Sequence, residues 1–430
     1  MWLLVAAELA VGSLRLGFLD GAVTLWAAAE PPPDGLIASP EPGWPQWRGP
    51  RRDGISEEKG LLQSWPEAGP RLLWKVDGLG TGWSSPIVVY ERIYITGDVG
   101  DELLVFAFDL QGRLQWKAKN GRSWKGSYPG ARAACAFSEG RLYHLNAHGR
   151  LACLEAATGN EVWAVDVLER FRGRNITWAL SECLLVDGER VIVTPGGEKG
   201  LMAALDKRHG HTVWVTERLG EDFTSHSSPI LFQHAGRRLI AQCSSGHGFG
   251  VDADSGKLLW AVPLRNRYDT NVATPVYGEG CVFYVTPYTE LGRLYRLRTT
   301  AEGIESELVW TSLLDTVTGS GVLVDGTLYA AGYSRFKRWF ALDWRTGETK
   351  SELRDLTTGA AIYADGRLYC LDERGNVALL NPSGGLVLAG RFRLVPQRVN
   401  DAWAHPVLLD GRLYLRYHDT LWCYDVQRRE

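Results

Sequence analysis

The chain has 430 residues, with 47 Lys and Arg against 50 Asp and Glu and a formal net charge of -3. Both signs are interspersed, which excludes the broad basic field of a nucleic-acid binder and an acidic tail. The 49 Gly and 18 Trp, set against two Met, suit short strands joined by tight turns, since glycine supplies the positive φ that hairpins need.

Residues 1–29 read as a signal peptide: an apolar run from Leu14 to Trp26 follows Arg15 and ends in Ala27-Ala28-Ala29, the small-residue form of a peptidase site. Cleavage after Ala29 would make the protein periplasmic or secreted; without it the protein would be cytoplasmic. In this leader the longest uncharged run, Gly21 to Ala29, is far below the ~18 residues of a spanning helix, so no integral membrane segment is expected. Residues 30–43 are Pro-rich and read as an extended linker.

From Trp44 to Ser56, WPQWRGPRRDGIS has no strand periodicity and is expected to pack as irregular chain against the outside of the domain. PRLLWKVDG, from Pro70, is a single strand with a Trp and no strands before it. From Gly82 a unit repeats every 40–50 residues or so, the signature of a repeat architecture. Each unit has a small or polar opening, a strand, an Asp-Gly-type turn, a second strand, and a strand pair of the form GVDADSGKLLW (Gly250 to Trp260). The closing Trp is Trp116, Trp163, Trp214, Trp260 or Trp310; Ser351 and Ala389 stand in its place in copies six and seven. Each Trp needs a large neighbour to cover it, which should be the next copy.

The eighth copy ends at CYDVQRRE without a closing strand. The orphan strand with Trp74 completes it. The expected fold is all-β: an eight-bladed β-propeller of four-stranded antiparallel blades spanning residues 44–430, closed by the N-terminal strand.

Ala204-x-Asp206-x-x-x-Gly210-x-x-x-Trp214, its echoes ending at Trp116, Trp163 and Trp260, and the WPQWRGPRRDGIS leader resemble the pyrroloquinoline-quinone-like (PQQ-like) propeller repeat family. The resemblance implies the propeller fold over residues 44–430. It also implies a choice of functions, because the family holds quinoprotein dehydrogenases, a lipoprotein of outer-membrane assembly and many exported propellers of unknown role. Its dehydrogenases hold the quinone against a disulfide of adjacent Cys, with Ca²⁺ on Glu and Asn and an Asp base. Here the seven Cys are scattered singly, so nothing carries that role, and no Cys near residues 27–30 could take a lipid. Buried free thiols are expected.

Other candidates have plain readings. Ser244 to Asp252 has the glycine spacing of a phosphate loop, but a strand follows rather than a helix, which makes it a hairpin. His144 and His148, like His209 and His211, flank turns and are expected to be exposed. Asn175-Ile176-Thr177 is a glycosylation sequon that matters only in a eukaryotic secretory context.

The segment leading into a blade's first strand lines one mouth of the central channel. Aligning the eight openings brings Trp83, Arg132, His226, Val272, Thr318, Thr358 and Trp403 to equivalent positions, with Trp178 near that frame in the third copy. Asn175, Asn271, Asn400 and His405 add polar groups nearby. These residues either form a ligand funnel of flat apolar faces and directed donors, or the Trp residues plug the channel. The resulting reading is a monomeric, non-catalytic binding or scaffold module for a protein, peptide or small polar ligand, with no cofactor and no metal. The alternative is a dehydrogenase using PQQ with Ca²⁺.

Overall fold

The structure is a computed structural model that describes residues 15–19, 22–26, 33–288, 291–301 and 303–429. The expected cleavage position after Ala29 lies outside the described residues. Eight four-stranded antiparallel sheets form the blades of a ring. In blade 1 the strands Ile87–Val89, Arg92–Val99, Glu102–Asp109 and Leu114–Arg122 pair in that order from the axis outward. Val, Ile and aromatic residues bounded by Gly and Asp turns favour this pleated geometry. The inner strands of blades 1, 2 and 4 are buried throughout, whereas outer strands such as Glu161–Asp166 alternate exposed and half-buried residues. Helix is confined, among the described residues, to the five-residue Val167–Phe171, capped by Asp166.

Blade 8 is built from Val407–Leu409, Arg412–Tyr417, Thr420–Asp425 and, as its outer strand, Arg71–Val76. Cys423 lies opposite Trp74 in that pairing, as Cys153 lies opposite Trp163 and Ala204 opposite Trp214. The orphan strand therefore occupies the register of a closing strand.

The closing Trp residues hold each blade to the next. Trp116, Trp163, Trp214 and Trp310 donate their indole N–H to backbone carbonyls of the following blade, at Ala156, Lys207, Ala253 and Trp344. Trp74 does the same to Leu110 across the ring closure. Each ring lies over the glycine of the next blade's turn: a Cβ at Gly112, Gly159, Gly210, Gly256 or Gly347 would stand only 2.4–2.9 Å from the indole. Asp-x-x-x-Gly and Trp are thus two halves of one interblade contact. A β-bulge at the same place in every blade, as between Ala204 and Leu205, turns the strand beside it.

Copies six and seven solve the missing Trp differently. Ser351 accepts from the Leu386 N–H of the next blade. In blade seven the residue in the Trp register is Gly390, not Ala389, because the bulge shifts the pairing by one. Trp65, from the N-terminal segment, fills that space and packs between Tyr369 and Phe392.

The N-terminal segment does not lie against the outside of the domain. It threads the channel and touches the inner strands of most of the ring: Gly35–Leu36 pairs with Phe232 and Gln233 of blade 4, Trp44 pairs with Val88 of blade 1, and Ile55 with Tyr363 of blade 7. Two buried arginines fix it. Arg48 donates to the carbonyls of Ser320 and Gly321, while Arg52 donates to those of Pro229, Leu184 and Cys183. Part of the stretch read as a linker is therefore docked, and the channel is closed by main chain rather than by the Trp residues of the openings.

Candidate functional site at the channel mouth

The plug leaves one end of the channel open as a cavity of about 210 Å³. Its wall comes from the openings of blades 1 to 6 and 8, and Trp47 of the plug supplies an aromatic face at its base. Of the residues expected there, Trp83, Arg132, Trp178, His226, Thr318, Trp403 and His405 line it, as does Val272. Asn271 does not: its side-chain amide is buried and donates to the carbonyls of Ser244 and Leu264, bracing the loop beneath. Thr358 is buried and outside the lining, and the exposed Asn175 donates to Ala147 O.

The aromatic wall is continuous. Trp83 and Trp403 meet with centroids 4.5 Å apart, Tyr128 packs on both, and His418 meets Trp83 edge to face at 4.5 Å. Trp83 Nε1 is tied to Pro129 O and Trp403 Nε1 to Glu373 at 3.4 Å. On the other side Trp178 lies between His226 and Tyr268. Tyr128, Tyr288 and Tyr333 complete the cavity and were not singled out from the sequence. They sit on loops outside the aligned openings, although Tyr288 and Tyr333 share one signal, a Tyr shortly after the second strand of blades 5 and 6.

Burial sets the charge state. His226 and His405 are held near pKa 3, by desolvation first and by Arg132 and Arg48 respectively second, so both rings are neutral at pH 7. His405 Nε2 lies 2.9 Å from Thr318 O, which puts the proton on Nε2 and leaves Nδ1 an acceptor without a partner. Arg132 is lowered to about 10 by burial and remains charged. Its guanidinium donates to the carbonyls of Trp178, Gly130, Ser127 and Tyr128, so it fastens its own loop to that of Trp178. Glu373, behind Trp403, is raised to about 7 by burial and then by Asp401.

His144 is buried rather than exposed: Asn120 donates to its Nδ1 at 2.8 Å, and the hairpin folds it inward beside blade 1. His209 and His211 are exposed. Asp222, His247 and Ser244 bring a carboxylate, an imidazole and a hydroxyl together. The Ser244 hydroxyl donates to the carboxylate itself rather than to the imidazole, so the ring is no base for it.

A family model described as "Outer membrane protein assembly factor BamB", of the PQQ-like repeat type, matches residues 100–352, more than half of the chain. The chain belongs to the PQQ-like propeller family. Among PQQ-like relatives, the outer membrane protein assembly factor BamB of Yersinia pestis is 24% identical over 279 residues, covering 62% of this chain and 66% of that protein, just under two thirds of its length. The BamB of Shewanella oneidensis is 23% identical over 345 residues, 74% of this chain and 81% of that protein. Quinohemoprotein alcohol dehydrogenase ADH-IIG of Pseudomonas putida is 30% identical over 159 residues, 32% of this chain and 21% of that enzyme. The crystal structure of BamB from Moraxella catarrhalis superposes with a TM-score of 0.60 at 15% identity, covering 84% of this chain and 99% of that one. Quinohemoprotein alcohol dehydrogenase from Comamonas testosteroni gives 0.65 at 14% identity, covering 91% and 82%. These structures share the fold.

The residues present do not fit the quinone with Ca²⁺. All seven Cys are buried free thiols, and no carboxylate lines the cavity. No group of three or more His, Cys, Asp or Glu gathers as a metal site among the described residues. Arg132, the one cation of the lining, has already given its N–H groups to main-chain carbonyls, so a tricarboxylate would find no free counter-charge.

Proposed function

We propose that this protein is a non-catalytic binding module of the cell envelope that recognises its ligand or partner at the channel mouth. The observation that carries this reading is convergence: seven blades, together with Trp47 of the plug, send aromatic and hydroxyl side chains into one cavity that is closed behind. Loops on a rigid scaffold are where binding groups concentrate, and outer blade faces spread around a circumference cannot converge. The one hydroxyl–imidazole pair of the lining, Ser181 with His226 at 2.9 Å, has no carboxylate in the lining to orient the ring, and no metal set gathers there among the described residues. A periplasmic location agrees with the relatives named as outer membrane assembly factors and with the expected signal peptide.

The test uses Trp403→Ala and Trp178→Ala, two half-buried residues whose loss spares the blades. A library of small polar compounds and peptides is screened for molecules that raise the melting temperature of the wild type. Both variants should melt within a few degrees of wild type and lose that response. A response unchanged in both variants, or variants that unfold while still binding, would move recognition away from the mouth.

A further inference from the structure

We propose that the mouth cavity takes a neutral, polyhydroxylated ring, a saccharide residue, stacked on its tryptophans. This rests on the reading that the mouth is the binding site, and it follows from what the lining can and cannot satisfy.

An anion is disfavoured. The Arg132 guanidinium is spent on four carbonyls, and burial keeps His226 and His405 neutral. A cation is disfavoured although the wall is aromatic, because the protein already places its own cations on the rim rings. Arg267 lies over Tyr268 and Tyr288 at 4.7 and 5.4 Å, and Lys337 lies 5.5 Å from the Tyr333 centroid. A ligand ammonium would meet these charges and Arg132, with no carboxylate in the lining to balance them. Ser181 and Thr270 already have partners in His226 and Tyr268 O, but a wholly apolar body would strand the hydroxyls of Ser85, Ser228 and Thr318.

What remains is a ligand with apolar faces and an edge of groups that both donate and accept. Ser85 and Ser228 already accept from the His405 and Cys183 N–H groups, which leaves each hydroxyl proton to be given away. Thr318 and His405 line the cavity, and each keeps a buried polar atom, Oγ1 and Nδ1, without a partner. His405 Nδ1 can only accept. Sugar hydroxyls suit such a mixed set, while the C–H faces of a pyranose ring gain dispersion contact with Trp178 and Trp403. The cavity of about 210 Å³ is about seven waters' worth of space at about 30 Å³ each, enough for one such ring.

The full-length protein is titrated with methyl glucoside, maltose, cellobiose and N-acetylglucosamine, and in parallel with betaine, succinate and a tryptophan-containing peptide. Tryptophan fluorescence and saturation-transfer NMR are the readouts. At least one saccharide should bind. Trp178→Ala should abolish that binding, and Thr318→Val should weaken it by up to about tenfold, the worth of one neutral hydrogen bond. Binding of betaine, succinate or the peptide that Trp178→Ala abolishes, with no saccharide response, keeps the mouth as the site but overturns the saccharide. No response to any saccharide overturns the proposal. Saccharide binding that is indifferent to both substitutions overturns it together with the mouth reading.

Discussion

Arg52 donates through Nη2 to the carbonyl of Cys183 at 2.7 Å, across 131 residues of sequence. The same guanidinium reaches Leu184 and Pro229, so one side chain of the plug joins blades 3 and 4 from inside. Burial lowers its pKa to about 10, which leaves it charged at neutral pH. Replacing it by Met keeps the volume but leaves three inward carbonyls without a donor. Arg52→Met should cost upwards of about 3 kcal/mol, from about 1–3 kcal/mol for each buried carbonyl left unsatisfied, read as a lower urea midpoint. An unchanged midpoint would mean the plug is a passenger.

A second expectation concerns the Trp and Gly contact between blades. Gly256 has φ +73, and a Cβ there would stand 2.4 Å from the Trp214 indole. Gly256→Ala combines a left-handed backbone with displacement of the ring that covers it. A loss of about 2–4 kcal/mol is expected, more than the about 1 kcal/mol of the backbone effect alone. Gly366→Ala, at a similar φ but with open space around the new methyl, should show only the smaller figure. Equal losses would show that the indole yields freely.

Truncation separates the docked Gly35–Leu36 segment from the elements that fill and close the ring. A chain beginning at Trp44 loses the Gly35–Leu36 pairing and should remain folded with a modestly lower melting temperature. A chain beginning at Asp77 loses the plug and the outer strand of blade 8 together and should unfold or aggregate, because the channel is left unfilled and blade 8 has an unpaired edge beside blade 1. Cooperative melting of the shorter chain near the wild-type temperature would contradict the eight-blade closure.

Acidification should weaken the ring through buried histidines. Burial lowers the His144 pKa from 6.5 to about 4, so below pH 6.5 the unfolded chain takes up a proton that the folded one refuses. Stability from this group falls as pH drops through that window and levels off below pH 4. His226 and His405, near 3, act in the same direction. Glu182 and Glu373, raised to about 7 by burial, oppose them, since their folded forms hold protons more tightly than the unfolded chain does. The histidine contribution is isolated by His144→Asn. Between pH 7 and 5 the variant should lose about 2 kcal/mol less than wild type, from roughly 1.5 pH units at about 1.36 kcal/mol each. Parallel denaturation curves at the two pH values would mean that His144 titrates normally in the fold.

The blades were legible because their chemistry repeats. Asp, Gly and Trp recur at fixed offsets, and the unpaired Trp74 strand and the unfinished copy at CYDVQRRE can be matched by elimination. The plug was not legible. Its contacts are arginine side chains on main-chain carbonyls and isolated bridges such as Trp44 with Val88, which impose no periodicity on WPQWRGPRRDGIS. Aligning the openings found much of the cavity wall, since Trp83, His226 and Trp403 hold equivalent positions. It could not find Trp47, which belongs to no blade, and it included Asn271, whose amide turns into the loop one residue from the lining position of Val272. His144 was misread because a hairpin flank gives no sign that Asn120 waits on the neighbouring strand.

The pairing of Arg71–Val76 with Thr420–Asp425 also governs the order of events during folding. The strand that closes the ring leaves the ribosome hundreds of residues before its partner Thr420–Asp425. Until then the strand of Trp74 has no partner to pair with, and the blades must assemble around a segment that is already present. Such a loop of sequence closes slowly, and an unclosed ring offers strand edges to other copies. The vulnerable species is therefore the chain whose eighth blade is not yet complete, and a factor that shields Arg71–Val76 until then would raise the yield of folded protein without touching the stability of the ring.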